Sequence, residues 1–201
     1  MGLPKKQNKR YTYADYSEWP DDTRYELIDG VVYSMTPAPS EPHQSVSIAL
    51  LTQLCRYFEK SKCKLYHAPF DVLLAKEDAS DDEIYDVVQP DILVICDTKK
   101  ISKRGCTGAP DFVIEISSPS TATKDQFEKA ILYDKHGVKE YWIVHPSDRI
   151  VFIRRKGADG AFEATEMIAA KGKVSVPLFP DLVIDFDKIF PEDSDIDECV
   201  Q

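Results

Sequence analysis

The sequence predicts a mixed α/β fold, one β-sheet flanked by helices, and three observations lead there. Residues 91–96 and 111–117 are strand-length runs that are apolar on both faces, as central strands of a covered sheet are. Residues 43–60 and 123–136 instead carry helical signals. The resulting order, β, α, β, β, β, α, β with later strands, is that of a mixed sheet with helices packed on it.

Each element has a local reason. Within 25–35, Asp29-Gly30 separates Leu27-Ile28 from Val31-Val32-Tyr33, a hairpin signal that places two strands at the start of the fold. Pro42 precedes the helix at 43–60, whose Val46, Leu50, Leu54 and Tyr57 recur at three- and four-residue spacing and so form its core face. Residues 64–75 read as one strand and the acidic stretch 76–86 as an exposed loop. After Ser118-Pro119-Ser120-Thr121 breaks the chain, Thr123 and Gln126 have the spacing of a capping box for a helix that Gly137 stops. Further strands are expected at 139–144, 150–154 and 162–168, with a short closing element at 182–186.

With 201 residues and 43% hydrophobic content, the chain can bury one substantial core. We expect one domain over 11–190, a flexible basic arm over 1–10 that includes Lys5, Lys6, Lys9 and Arg10, and a disordered acidic tail over 191–201. The arm is followed by no apolar segment of a secretory signal. Runs such as 48–51 and 92–96 fall far short of the roughly 20 apolar residues a membrane span needs, so a soluble protein is expected. Cysteines 55, 63, 96, 106 and 199 are odd in number and never form C-x-x-C, which argues against a disulfide framework and a zinc site and for a reducing cytoplasm. The formal net charge of −10 runs against a protein that holds DNA by a broad basic face. No Gly-rich phosphate loop, G-x-S-x-G elbow or H-E-x-x-H pair occurs.

Glu115 is the most informative single residue. It interrupts the apolar strand Phe112-Val113-Ile114-Glu115-Ile116, where a lone carboxylate is costly unless paired, protonated or bound to a metal; a structural ion pair or an edge-strand position is the plain alternative. Asp91 follows Pro90 at the head of the other apolar strand, and Pro-Asp there is also ordinary turn chemistry. If the two strands are neighbours, Asp91 and Glu115 come within reach of one hard, oxygen-preferring cation such as Mg²⁺. Asp125, Lys129 and Tyr133 form an i, i+4 line on the following helix, which by local pattern reads as an exposed stripe with an Asp-Lys pair. His43 is a helix-start residue open to a capping role, and Glu26, before a strand, reads as an ordinary solvent-facing residue.

Taken together, Tyr-Glu-Leu-Ile-Asp-Gly at 25–30, Pro-His-Gln at 42–44, Gln-Pro-Asp at 89–91, Asp-Phe-Val-Ile-Glu-Ile-Ser-Ser-Pro-Ser-Thr at 111–121 and Lys-x-x-x-Tyr-x-x-x-Gly-Val-x-Glu-Tyr-Trp from 129 to 142 resemble the Uma family. This is a group of restriction-endonuclease-like proteins within the PD-(D/E)-x-K nuclease superfamily. The resemblance implies a restriction-endonuclease-like fold, hydrolysis of DNA phosphodiester bonds, and Mg²⁺ (with Mn²⁺ as substitute) on Asp91 and Glu115, with Glu26 a further acid beside them. The superfamily's lysine two residues after the second acid is replaced here by Ser117, so the resemblance moves that role to Lys129 on the next helix. A fold that binds DNA or protein without turnover is the alternative. A homodimer is the simplest way to cut both strands of a duplex, although no residue pattern marks its interface.

Overall fold

A computed structural model describes residues 9–20, 23–35, 38–118 and 122–191. In chain order, helix α1 (Tyr13–Tyr16) precedes the hairpin β1 (Tyr25–Ile28) and β2 (Val31–Ser34), the long helix α2 (Glu41–Phe58), and strands β3 (Lys64–His67), β4 (Val72–Leu73), β5 (Val87–Val88), β6 (Ile92–Ile95), β7 (Ile101–Ser102), β8 (Gly105–Thr107) and β9 (Phe112–Ile116). A π-helical segment (Lys124–Lys129) continues into α3 (Ala130–His136). Strands β10 (Glu140–His145), β11 (Ile150–Arg155), β12 (Glu166–Ala169), β13 (Lys173–Ser175) and β14 (Val183–Asp185) complete it.

These strands form two six-stranded sheets, β2-β1-β5-β4-β8-β7 and β12-β11-β10-β9-β6-β3, and the separate hairpin β13-β14. The mixed α/β architecture expected from the sequence is present, with its strands divided between two large sheets rather than gathered in one. The division falls inside the stretch read as one strand, 64–75. Its first half, β3, pairs with β6, while its second half, β4, pairs with β5 and β8 in the other sheet. Pro69, lacking an N–H, lies between them where a ladder cannot continue. Strands β5, β7 and β8 are two or three residues long, too short to carry a readable period.

In the second sheet β9 lies between β10, its parallel neighbour, and β6, its antiparallel one. Alternation then sorts the side chains. Ile92, Val94, Phe112, Ile114 and Ile116 join Val46, Leu50, Leu54 and Phe58 of α2 and Phe179, Ile184 and Phe186 near the C-terminal hairpin in one core cluster. Leu93, Ile95 and Val113 pack on the opposite side with Ala130, Leu132 and Tyr133 of α3 and with Val72, Leu74 and Val88 of the first sheet. The sheet is covered on both faces, as its composition requires, and each fully buried Ile, Leu or Val contributes roughly 1.5–3 kcal/mol.

Local expectations hold unevenly. Asp29 and Gly30 both adopt positive φ (51° and 74°), the backbone that a two-residue hairpin turn needs. Phe58 rather than Tyr57 closes the buried face of α2; the Tyr57 hydroxyl donates to the Pro180 carbonyl instead. Thr123 is not a cap: its φ and ψ of −63° and −44° are already helical, and the Gln126 amide meets His145 Nε2 at 3.2 Å. Gly137 ends α3 at φ 94°, as expected. The acidic loop 76–86 is not wholly exposed, because it folds a short 3₁₀ turn (Asp81–Glu83) and returns Ile84 to full burial and Asp86 nearly so.

Cys63 and Cys96 form a disulfide, against the reading of the cysteines as unpaired. The antiparallel register Lys64↔Ile95 sets position 63 opposite 96, a proximity that sequence spacing does not reveal. Disulfides persist in oxidising compartments, so the cysteine argument for a reducing one lapses. Of the basic arm, the described residues Lys9 and Arg10 are held rather than free, Lys9 by Asp15 and Arg10 by Asp29. Residues 1–8 and the acidic run 192–201 lie outside the described residues.

Candidate active site

The register Ile92↔Ile114 places Asp91, one residue before β6, opposite Glu115 of β9. Two-residue alternation puts both on the side of Leu93 and Val113, which faces α3. The Ile116 N–H donates to Asp91 Oδ2 at 2.7 Å, and the Asp91 N–H approaches Glu115 Oε2 at 3.4 Å. His43, near the start of α2, sets its Nε2 3.2 Å from the same Asp91 Oδ2. The two acids singled out from strand context are thus brought together.

Lys129 is not part of an exposed stripe. It is buried with Asp125 and Tyr133, and its Nζ lies 2.8 Å from both Glu115 Oε1 and Glu26 Oε1. The Tyr133 hydroxyl donates to Glu115 Oε1 at 2.8 Å. Glu26, from β1 of the first sheet, is fully buried, not solvent-facing. Its carboxylate accepts the Gln89 N–H at 3.1 Å and pairs with Lys124 Nζ at 2.8 Å.

Lys124 escaped the sequence reading, and the helix geometry explains why. On an α-helix, residues five apart point about 140° away from each other. The π turn over Lys124–Lys129, with its i→i+5 hydrogen-bond spacing, brings those two lysines to one side, where both reach Glu26. No α-helical period would join them.

The charges are unevenly balanced. Glu26, Asp91, Glu115 and Asp125 gather against Lys124 and Lys129 in and behind a cleft of about 520 Å³, whose lining includes Arg24, His43, Gln89, Asp91, Glu115 and Lys129. Burial pushes the Glu115 carboxyl up to about 8, with Asp91, Asp125 and Glu26 adding to the rise and Lys129 opposing it. The Lys129 ammonium is held well above its ordinary range, since the adjacent Glu115 and Glu26 carboxylates outweigh the desolvation that would lower it. Glu26 feels the same burial, but its two lysines leave it below the usual carboxylate value.

This donor set suits a hard cation. Among the described residues no group of three or more His, Cys, Asp or Glu is arranged to hold a metal ion. Mg²⁺, however, commonly keeps several waters and uses only one or two carboxylates together with substrate oxygens. Asp91 and Glu115, both lining an open cleft, are two oxygen donors of that kind.

A family model named Uma2 and described as "Putative restriction endonuclease" matches residues 13–187. The chain belongs to the Uma2 family. The Uma2 match takes in every site residue named above. An uncharacterised protein of Synechocystis sp. (strain ATCC 27184 / PCC 6803 / Kazusa) is 24% identical over 149 residues, 73% of this Uma2 chain and 74% of its relative. Among solved structures, "a putative nuclease belonging to DUF820 from Anabaena variabilis ATCC 29413" superposes with a TM-score of 0.70 at 19% identity, covering 89% of this chain and 97% of that one. The Uma2 chain has the restriction-endonuclease-like fold, a mixed α/β architecture. Among the described residues no helix is long and apolar enough to cross a membrane.

Proposed function

We propose that this protein is a Mg²⁺-dependent endonuclease that hydrolyses DNA phosphodiester bonds, with Asp91 and Glu115 as metal ligands and Lys129 and Glu26 completing the site. One observation carries the reading: strands β6 and β9 set two carboxylates side by side in a cleft, and a buried lysine from the next helix reaches one of them at 2.8 Å. That lysine compensates for Ser117, which stands where the superfamily pattern has its lysine.

Mg²⁺, or Mn²⁺ in its place, would supply charge stabilisation at the phosphate and a more acidic water. The chain's own groups have separable tasks. Asp91 is oriented by the Ile116 N–H and by His43, so its carboxylate is pre-set before any ligand arrives. Lys129, held protonated by two carboxylates, acts by orienting water and offsetting negative charge at the phosphate rather than by taking a proton. Glu26 holds both lysines in place. The volume of the cleft accommodates nucleotide-sized groups. Two copies, one per strand, would suffice to cut a duplex.

The test is incubation of purified protein with plasmid and branched DNA across Mg²⁺ and Mn²⁺ concentrations. Cleavage that is abolished by chelator and by Glu115→Gln supports the reading. No cleavage by folded parent protein, or equal cleavage by Asp91→Ala, overturns it. RNA and mononucleotide esters in the same assay separate DNA from other phosphate substrates.

A further inference from the structure

The basic side chains of the cleft are nearly all committed. Lys124 is paired with Glu26, Lys129 with Glu26 and Glu115, and His43 with Asp91. His67 turns its Nδ1 to the Ala68 carbonyl at 2.7 Å. Arg24 differs: it lines the same cleft, and among the described residues its guanidinium has no carboxylate or hydrogen-bond partner.

Its direction follows from the strand. The Met35 N–H donates to the Arg24 carbonyl at 3.0 Å, extending the β1–β2 ladder one pair beyond Tyr25↔Ser34. Arg24 is therefore extended backbone two residues before Glu26 and on the same face. At strand rise, the two are roughly 7 Å apart along the chain. Glu26 is sealed behind its lysines, whereas Arg24 is only half-buried and opens on the cleft. A guanidinium presents a planar fork of donors that matches phosphate oxygens, and one that no described residue holds is placed to offer that fork to a ligand in the cleft. In a protein of net charge −10, long-range attraction cannot gather a polyanion, so a fixed local cation has to hold it.

We propose that Arg24 grips a substrate phosphate neighbouring the one presented to Asp91 and Glu115, and so sets the register of the nucleic-acid strand in the cleft. This rests on the nuclease reading. The closing experiment compares parent, Arg24→Ala and Arg24→Lys by fluorescence anisotropy with a labelled single-stranded oligonucleotide and the corresponding duplex, in Ca²⁺ and across a salt titration. Arg24→Ala is expected to weaken binding about tenfold or more, as loss of a charge-assisted contact does. Its salt slope is expected to fall by about 0.7 on single strands or about 0.9 on duplex, the increment of one phosphate contact. Arg24→Lys should keep the slope while losing part of the affinity. Parent and folded Arg24→Ala with equal affinity and equal slope overturn the role of Arg24 and leave the nuclease reading standing. Should Arg24→Ala melt early, Arg24→Gln serves for the same comparison. Parent protein that binds neither strand form overturns the nuclease reading itself.

Discussion

Lys129 Nζ lies 2.8 Å from Glu26 Oε1, joining the helix after β9 to the first strand of the other sheet through an ion pair with 3% and 0% of the two side chains exposed. Removing one member of such a pair leaves an uncompensated buried charge. Lys129→Met is expected to cost about 3–5 kcal/mol of folding stability, measured by urea denaturation. Combined with Glu26→Gln, the loss should be smaller than the sum of the two single losses, because each variant removes the other's unpaired partner.

Asp91 and Glu115 are expected to carry cation binding without being needed for the fold. Mg²⁺ at a hundredfold excess over its Kd should raise the stability of the parent by about 2.7 kcal/mol in thermal melts. Asp91→Asn and Glu115→Gln should still melt cooperatively and show no such rise. An undiminished Mg²⁺ shift in both variants would remove these residues from the ligand set.

Gly105 tests how tightly the first sheet is built. Its φ is +109°, and a Cβ there would stand 2.1 Å from the Asp71 carbonyl oxygen, which accepts the Cys106 N–H. Gly105→Ala is expected to destabilise the protein by more than about 1 kcal/mol, since both the backbone and the contact forbid a side chain. The Asp71 carboxylate also receives Tyr16 and Gln89, so the same variant should lower the proposed nuclease activity through displacement of Gln89.

Asp86 gives the expected pH response of stability. Burial alone would raise its carboxyl, but hydrogen bonds from His136 and the Asp29 N–H, with Lys135 nearby, hold it below its ordinary 3.8. A depressed carboxylate contributes stability that is complete above the unfolded value and is lost as pH falls through the folded one. The contribution of Asp86 should therefore be intact above about pH 5 and disappear below pH 3.8. Asp86→Asn should flatten that acid limb in melts recorded from neutral pH downward.

The order of the elements was readable because it depends on local pattern. The Asp29-Gly30 turn, the α2 face through Val46, Leu50 and Leu54, and the two-sided burial of β6 and β9 each follow from spacing within a few residues. Glu115 stood out for the same reason, as a carboxylate in a run with no polar neighbours. The split of 64–75 between two sheets and the Cys63–Cys96 bond had no such signal, since each depends on which distant strand becomes the neighbour.

By itself, then, the sequence determined the longer elements and the two central strands and singled out Asp91 and Glu115, because alternation and periodicity are properties of short segments; that the two acids are neighbours was settled by strand pairing. Only the tertiary structure decided that Glu26 and Lys129 are buried partners rather than surface charges. Their residue types and local spacing fit either state, and the choice depended on how two sheets pack around one helix. The same packing, together with a π turn that no α-helical period foretells, brought Lys124 into the site.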